Sequence, residues 1–305
     1  MKHRFYILLL CCCLLAACEG SEEGISDEKV NVVATTGMIA DLARNIGKDS
    51  VTVAALMGPG VDPHLYKTSQ SDLAQLQGAD LIFYNGLHLE GKMGEVLEKL
   101  ERYKEVAPVA AGIAPTRLLQ SSSYQDSYDP HIWFDVKLWS STVDVVLSKL
   151  ISIDPESKPY YEANAAALHN ELLDLHRWVK AQMAIIPEAQ RVMVTAHDAF
   201  SYFGRAYGLE VRGLQGISTL SEFGLKDRVD LINFIVDRKI KAVFVETSVA
   251  EKNIKAIVEG CEQKGHKVVI GGALFSDAMG AAGTVQGTYV GMVKSNVNTI
   301  VNALK

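Results

Sequence analysis

"DPESKPYYEANAAALHNELLDLHRWVKAQMAII", residues 154–186, runs for some thirty residues without a glycine and stops at Pro187. Its alanines, leucines, glutamates and lysines favour helix, Asp154 can cap it, and Pro155 suits a first helical turn. One unbroken helix of that length would be on the order of 45 Å long at about 1.5 Å per residue, enough to cross one domain and enter another. The segments on either side decide whether it is a connector.

Both sides share one grammar. Before it, "VNVVAT" (30–35), "VTVAALM" (51–57) and "DLIFYNG" (80–86) read as strands. "GMIADLARNIG" (37–47), "SDLAQLQGA" (71–79) and "KMGEVLEKLERY" (92–103) read as helices, as do residues 136–150. After it, strands "RVMVTA" (191–196), "VRGLQG" (211–216), "KAVFVET" (241–247) and "HKVVIGG" (266–272) alternate with helices "FSYFGRAYG" (200–208), "LKDRVDLINFIVDRK" (225–239) and "NIKAIVEGCEQKG" (253–265), and a final helix covers 288–304. Short apolar strands separated by helices build a parallel, helix-flanked sheet. The expected fold is α/β: two lobes, each a mostly parallel sheet flanked by helices, joined by one long backbone helix. The corresponding divisions are 29–153, 154–186 and 187–305.

Residues 1–17 belong to a different class. Lys2 and Arg4 precede an eleven-residue apolar run from Phe5 to Leu15, too short to span a bilayer and followed by small residues. That is a signal peptide. "LAAC" (15–18) resembles a bacterial lipobox, which would make Cys18 the lipidated first residue and 18–28 a flexible tether to a membrane surface. Ordinary signal-peptidase cleavage beside a chance cysteine is the alternative. Cys11, Cys12 and Cys13 would leave with the signal, so Cys261 remains without a disulfide partner and is expected to pack as a small apolar residue on its helix. The chain carries 30 basic and 36 acidic residues, and loss of Lys2 and Arg4 makes the mature form more acidic still. No basic patch points to nucleic acid.

The tripeptide Asp-Pro-His occurs twice, in "VDPHLY" (61–66) and "YDPHIWFD" (128–135). Proline restricts both itself and the residue before it, so each histidine is offered from a stiff loop with less ordering entropy to lose. His64, His131, His197 in "VTAHDAF" and Asp277 in "LFSDAMG" all fall in loops after strands or before helices, two from each lobe. Ligands of open α/β sheets sit in such loops. Imidazole with carboxylate suits zinc, manganese or iron, and four protein donors suit a closed site. Taken singly, each of the four could equally be a loop residue that caps or hydrogen-bonds. Asp62 and Asp129 could orient the imidazoles or the backbone from behind.

"GPGVDPHLY", "NGLHLEGKM", "DPHIWFD", "VTAHDAFSYFG", "GISTLSE" and "LFSDAMG" occur in that order, with the long helix between the lobes. From Val30 to the C-terminus the chain resembles the metal-binding lipoproteins of bacterial ABC importers, the zinc, manganese and iron receptor family of treponemal and streptococcal type. The resemblance implies an inter-lobe cleft holding one divalent ion, Zn2+ or Mn2+ ahead of Fe2+, for delivery to an ABC importer permease. It implies His64, His131, His197 and Asp277 as ligands and places Glu246 near the cleft. It also implies an extracytoplasmic, lipid-anchored protein, expected to be a monomer and not an enzyme. Many dedicated zinc receptors of the family carry a His/Asp/Glu-rich insertion where this chain has only "QSSSYQDSYD" (120–129), which moves the reading away from that subtype.

His88 is expected to hydrogen-bond in its loop, His169 and His176 to be ordinary positions on the long helix, and His266 to be exposed. A secreted metallohydrolase is one rival reading. It lacks HExxH and any glutamate at general-base spacing, and four protein donors leave no place for an activated water. A surface adhesion lipoprotein stapled by a structural metal is the other. A stiff connector predicts small lobe movements, with local loop motion near His197 and Asp277.

Overall fold

The structure is a computed structural model that describes residues 29–121, 127–220 and 223–305; the signal peptide, Cys18 and the whole of the tether lie outside them. In the first lobe β1 (Val30–Ala34), β2 (Val51–Ala55), β3 (Leu81–Tyr84) and β4 (Glu105–Pro108) form an all-parallel sheet in the order β2-β1-β3-β4. Helices α1 (Gly37–Gly47), α2 (Gln70–Gly78) and α3 (Gly94–Leu100) make the crossovers. β1 and β3 lie at the centre and are apolar along almost their whole length, as strands covered on both faces must be. Ser69 begins α2 with a reciprocal cap: its hydroxyl accepts from the Asp72 amide, and the Asp72 carboxylate accepts from the Ser69 amide.

The single helix expected over 136–150 is two, α4 (Val136–Trp139) and α5 (Val143–Ile153), separated by a 3-10 turn at Ser140–Thr142. The Ser140 and Thr142 hydroxyls donate back to the carbonyls of Lys137 and Trp139, and such back-bonding competes with a regular helical ladder. α6 (Lys158–Met183) is the long helix, with 26 residues spanning about 39 Å. It starts later than Asp154. Asp154 instead closes α5 and steadies the turn, accepting from the Ser157 amide and the Tyr161 hydroxyl, while Pro159 occupies the first turn of α6.

The second lobe contains β5 (Val192–His197), α7 (Ser201–Tyr207), β6 (Glu210–Gln215), α8 (Leu225–Asp237), β7 (Ala242–Glu246), α9 (Lys252–Gln263), β8 (Val269–Leu274) and α10 (Tyr289–Leu304). β5 pairs with β6 and β7 with β8, all parallel, and β5 runs alongside β7. β8 begins three residues later than its sequence suggests. Gly271 and Gly272 lie within it because α10 packs so closely that a Cβ at either would stand 2.6 Å from Ala303 or Thr299 side-chain carbon. Cys261 is buried among the apolar residues of α8, α9 and β7.

One apolar core runs through both lobes. It joins Val32 and Phe83 to Trp139, to Leu168, Leu172 and Leu175 of α6, to Met193 and Phe244, and to Val297 and Ile300 of α10. Hydrogen bonds cross the same boundary: the Tyr202 hydroxyl donates to the Asp129 carbonyl, and the Tyr289 amide donates to Asp41. The lobes therefore share an interior and meet at the carboxyl ends of their strands.

Candidate metal centre

Each Asp-Pro-His loop is a small closed turn. The Asp62 carboxylate accepts from the His64 amide, and the Asp129 carboxylate from the His131 amide, both at 2.9 Å. With proline fixing the residue between, this aspartate turn sets the direction of each imidazole. The two aspartates differ in their remaining contacts. Asp129 Oδ1 also lies 2.7 Å from His131 Nδ1, whereas Asp62 Oδ2 accepts from the Thr219 hydroxyl of the second lobe at 2.6 Å.

His197 ends β5 and is held by Glu246, which ends the neighbouring β7. Glu246 Oε1 accepts from the His197 amide at 2.8 Å, and Oε2 lies 2.5 Å from His197 Nδ1. In His131 and His197 the inner ring nitrogen is thus committed to a carboxylate, which turns Nε2 towards the centre. Asp277 follows β8 and faces all three rings. His64 Nε2 is 3.3 Å from His131 Nε2, and Asp277 lies 3.8, 3.5 and 3.2 Å from the Nε2 atoms of His64, His131 and His197. One donor atom from each of the four lies within 4.8 Å of all the others, and all four side chains are buried.

The electrostatics are those of a site made for a cation. Burial drives His64 down to about 3, against the pull of Asp277. Burial would also lower His197, but Glu246 and Asp277 outweigh it and raise that imidazole well above the ordinary histidine range. Burial would raise Asp277, yet the imidazoles, His197 foremost, hold its carboxyl well below the ordinary carboxylate range. Both Asp277 oxygens and His197 Nε2 are nevertheless buried without a well-formed hydrogen bond, although Oδ2 and Nε2 are 3.2 Å apart. Orphaned buried polar atoms are costly, and converging lone pairs are what a metal ion satisfies. Donors about 2.0–2.1 Å from a tetrahedral ion stand about 3.3–3.4 Å from one another, close to the separations here. Four such donors complete the tetrahedron of a four-coordinate zinc ion.

Support extends beyond those residues. Glu90, fully buried in "NGLHLEGKM", accepts from the Thr35 hydroxyl and the Asn85 amide at 2.7 Å each, and burial raises its carboxyl despite these donors. The Asn85 side chain in turn donates to the Pro130 carbonyl at 3.0 Å, bracing the His131 loop. In this motif the sequence draws attention to His88 and not to Glu90 or Asn85, whose bonds reach residues far along the chain. His88 is exposed in a left-handed conformation, and His169 and His176 face Asp144 and Tyr207 away from the cluster. His266 is half-buried, its Nε2 2.7 Å from the Ile240 carbonyl oxygen, contrary to the expectation of full exposure. Position just before a strand suggests solvent, but the ring turns back to the Ile240 carbonyl in the turn between α8 and β7.

Residues 32–303 match the family described as zinc-uptake complex component A, periplasmic. The chain belongs to that family. Its relatives include the manganese-binding lipoprotein MntA of Bacillus subtilis, 49% identical over 292 residues with 95% of each chain covered. The zinc-binding protein TroA of Treponema pallidum is 48% identical over 285 residues, covering 93% of this chain and 92% of TroA. Among solved structures, the periplasmic zinc-binding TroA superposes with a TM-score of 0.88, covering 91% of this chain and 99% of that one. The two-lobe architecture with its long connecting helix is accordingly the family's fold. No helix among the described residues is long and apolar enough to cross a membrane.

Proposed function

We propose that this chain is an extracytoplasmic receptor that captures one divalent transition-metal ion, zinc or manganese, between its lobes and hands it to an ABC importer. His64, His131, His197 and Asp277 hold the ion as cargo. Asp129 and Glu246 orient His131 and His197 from behind, and Asp62 shapes the His64 loop. The observation that carries this reading is the convergence of four buried donors from both lobes, with carboxylate oxygens that make no well-formed hydrogen bond. The reading assigns residues 29–153 and 187–305 to the two lobes and 154–186 to the connector. It anchors the protein as a monomer through a lipid on Cys18, with the importer's permease as its partner.

Against the rival hydrolase reading stands the donor set, since a tetrahedral zinc ion bound by all four groups keeps no open position for a water. Relatives named for manganese and for zinc stand at almost the same identity. A site of three imidazoles and one carboxylate suits both, and intrinsic affinity follows zinc above manganese. The test is elemental analysis of protein purified from metal-replete medium, with calorimetric titration of each metal. About one equivalent per chain is expected from a single four-donor site, and His131→Ala should weaken it sharply. Protein that carries neither metal and takes up neither on titration would remove the reading.

A further inference from the structure

α10 contributes no ligand, yet it grips both halves of the site. Tyr289 and Asn296 are seven residues apart on it and so share one face. The Tyr289 hydroxyl donates to the Trp133 carbonyl at 2.7 Å, holding the turn that carries His131. The Asn296 amide embraces Phe275, donating to its carbonyl at 2.7 Å and accepting from its amide at 2.9 Å. Phe275 stands two residues before Asp277, in a loop that has already left β8.

Trp133 closes the triangle. Its indole Nε1–H crosses the lobe boundary to the Ser276 carbonyl at 3.0 Å, and its ring lies edge-on to the His131 imidazole, with centroids 5.3 Å apart at 68°. The Ser276 hydroxyl is held by Ser248 at 2.8 Å. Trp133, Ser276, Tyr289 and Asn296 are all buried, so water offers no substitute for these bonds. The two residues preceding Asp277 are therefore fixed by side chains from elsewhere in the fold, and one of those side chains touches His131.

The need for such fixing follows from Asp277 itself. Apart from the 3.2 Å approach of His197 Nε2 to Oδ2, its oxygens have no partner that would hold the carboxylate in place, so its direction towards His131 must come from the backbone beneath it. We propose that Trp133 and Asn296 are positioning residues that aim the Asp277 carboxylate at the His131 imidazole, and so govern cation affinity across the lobe boundary. This rests on the metal-receptor reading above. Asparagine is suited to its place because it supplies one donor and one acceptor on a short arm. Tryptophan is suited because its donor reaches Ser276 while the same ring packs on His131.

A double-mutant cycle with zinc(II), measured by chelator competition on protein shown to be folded, tests the proposal. Trp133→Phe keeps an aromatic ring beside His131 and removes the donor together with part of the indole, which is why the Asp277→Ala background and a melting temperature are needed beside it. It should weaken zinc binding about 10-fold or more, within the range of residues that orient metal ligands, through faster dissociation. In an Asp277→Ala background the same change should cost under about twofold, because the group it aims is gone. Asn296→Ser, carried through the same cycle, should behave alike and serves if Trp133→Phe does not fold. Equal losses in both backgrounds, or a lower melting temperature with unchanged zinc affinity, would overturn the proposal. Parent protein that fails to bind zinc would instead overturn the receptor reading on which it rests.

Discussion

His197 is the residue at which metal and proton compete most directly. Glu246 and Asp277 hold its imidazole protonated well above the usual histidine range, against the effect of burial. A metal ligand must be deprotonated, so loading at neutral pH should release about one proton per ion. The sign follows: apparent affinity falls as pH falls, because more protons oppose the ion at this ring. Calorimetry in buffers of different ionisation enthalpy measures the number released. Replacing Glu246 by Gln should reduce the release while weakening binding about 10- to 100-fold, since the ring then loses its charge partner and a single amide oxygen is left to serve the two donors that Glu246 accepts from. At this scale the sequence was informative where residue type alone speaks. The repeated Asp-Pro-His drew attention to His64 and His131, and both turns have the aspartate-to-amide bond that stiffens such a loop. His197 and Asp277 emerged as members of a set through loop position and family resemblance. Trp133, Asn85, Glu90 and Asn296 could not be found that way, because their significance lies in bonds to residues 45 or more positions away, or to a loop visible only once folded.

Among the elements, the connector α6 was the most legible, owing to its length and its lack of glycine, yet its start was misjudged. Asp154 has a capping side chain, but the preceding helix uses that region as its end, and the true first-turn proline is Pro159. β4 was missed altogether. Its four residues, Glu105–Pro108, are too few to show alternation and end in proline, which is tolerated because β4 lies at the sheet's edge. The burial stripe of α6 leads to a paired expectation. Leu172 is 1% exposed within the shared core, whereas its neighbour Leu173 is 44% exposed. Leu172→Ala should destabilise the protein by about 2–5 kcal/mol in thermal or denaturant unfolding. Leu173→Ala should stay within about 0.5 kcal/mol. Equal effects would mean that α6 does not present this face to both lobes.

For the whole molecule, the decisive feature is that, beside the smaller core each lobe keeps to itself, the two lobes share a third and larger one. Val32 of the first sheet, Leu172 of the connector and Val297 of α10 belong to one continuous core. Opening the lobes as rigid halves would expose that core and break the bonds from Tyr202 to Asp129 and from Trp133 to Ser276. Loading is therefore expected to change the radius of gyration by less than about 1 Å, with rearrangement confined to the ligand loops. Small-angle scattering on metal-free and loaded protein checks this, and a contraction of several ångströms would contradict it. All of this depends on one ion being held jointly by the two lobes. The most direct measurement is an anomalous difference map from crystals of zinc-loaded protein. The account predicts a single strong peak about 2.0–2.2 Å from Nε2 of His64, His131 and His197 and from an Asp277 oxygen. A peak held by one lobe alone, or by other side chains, would contradict it.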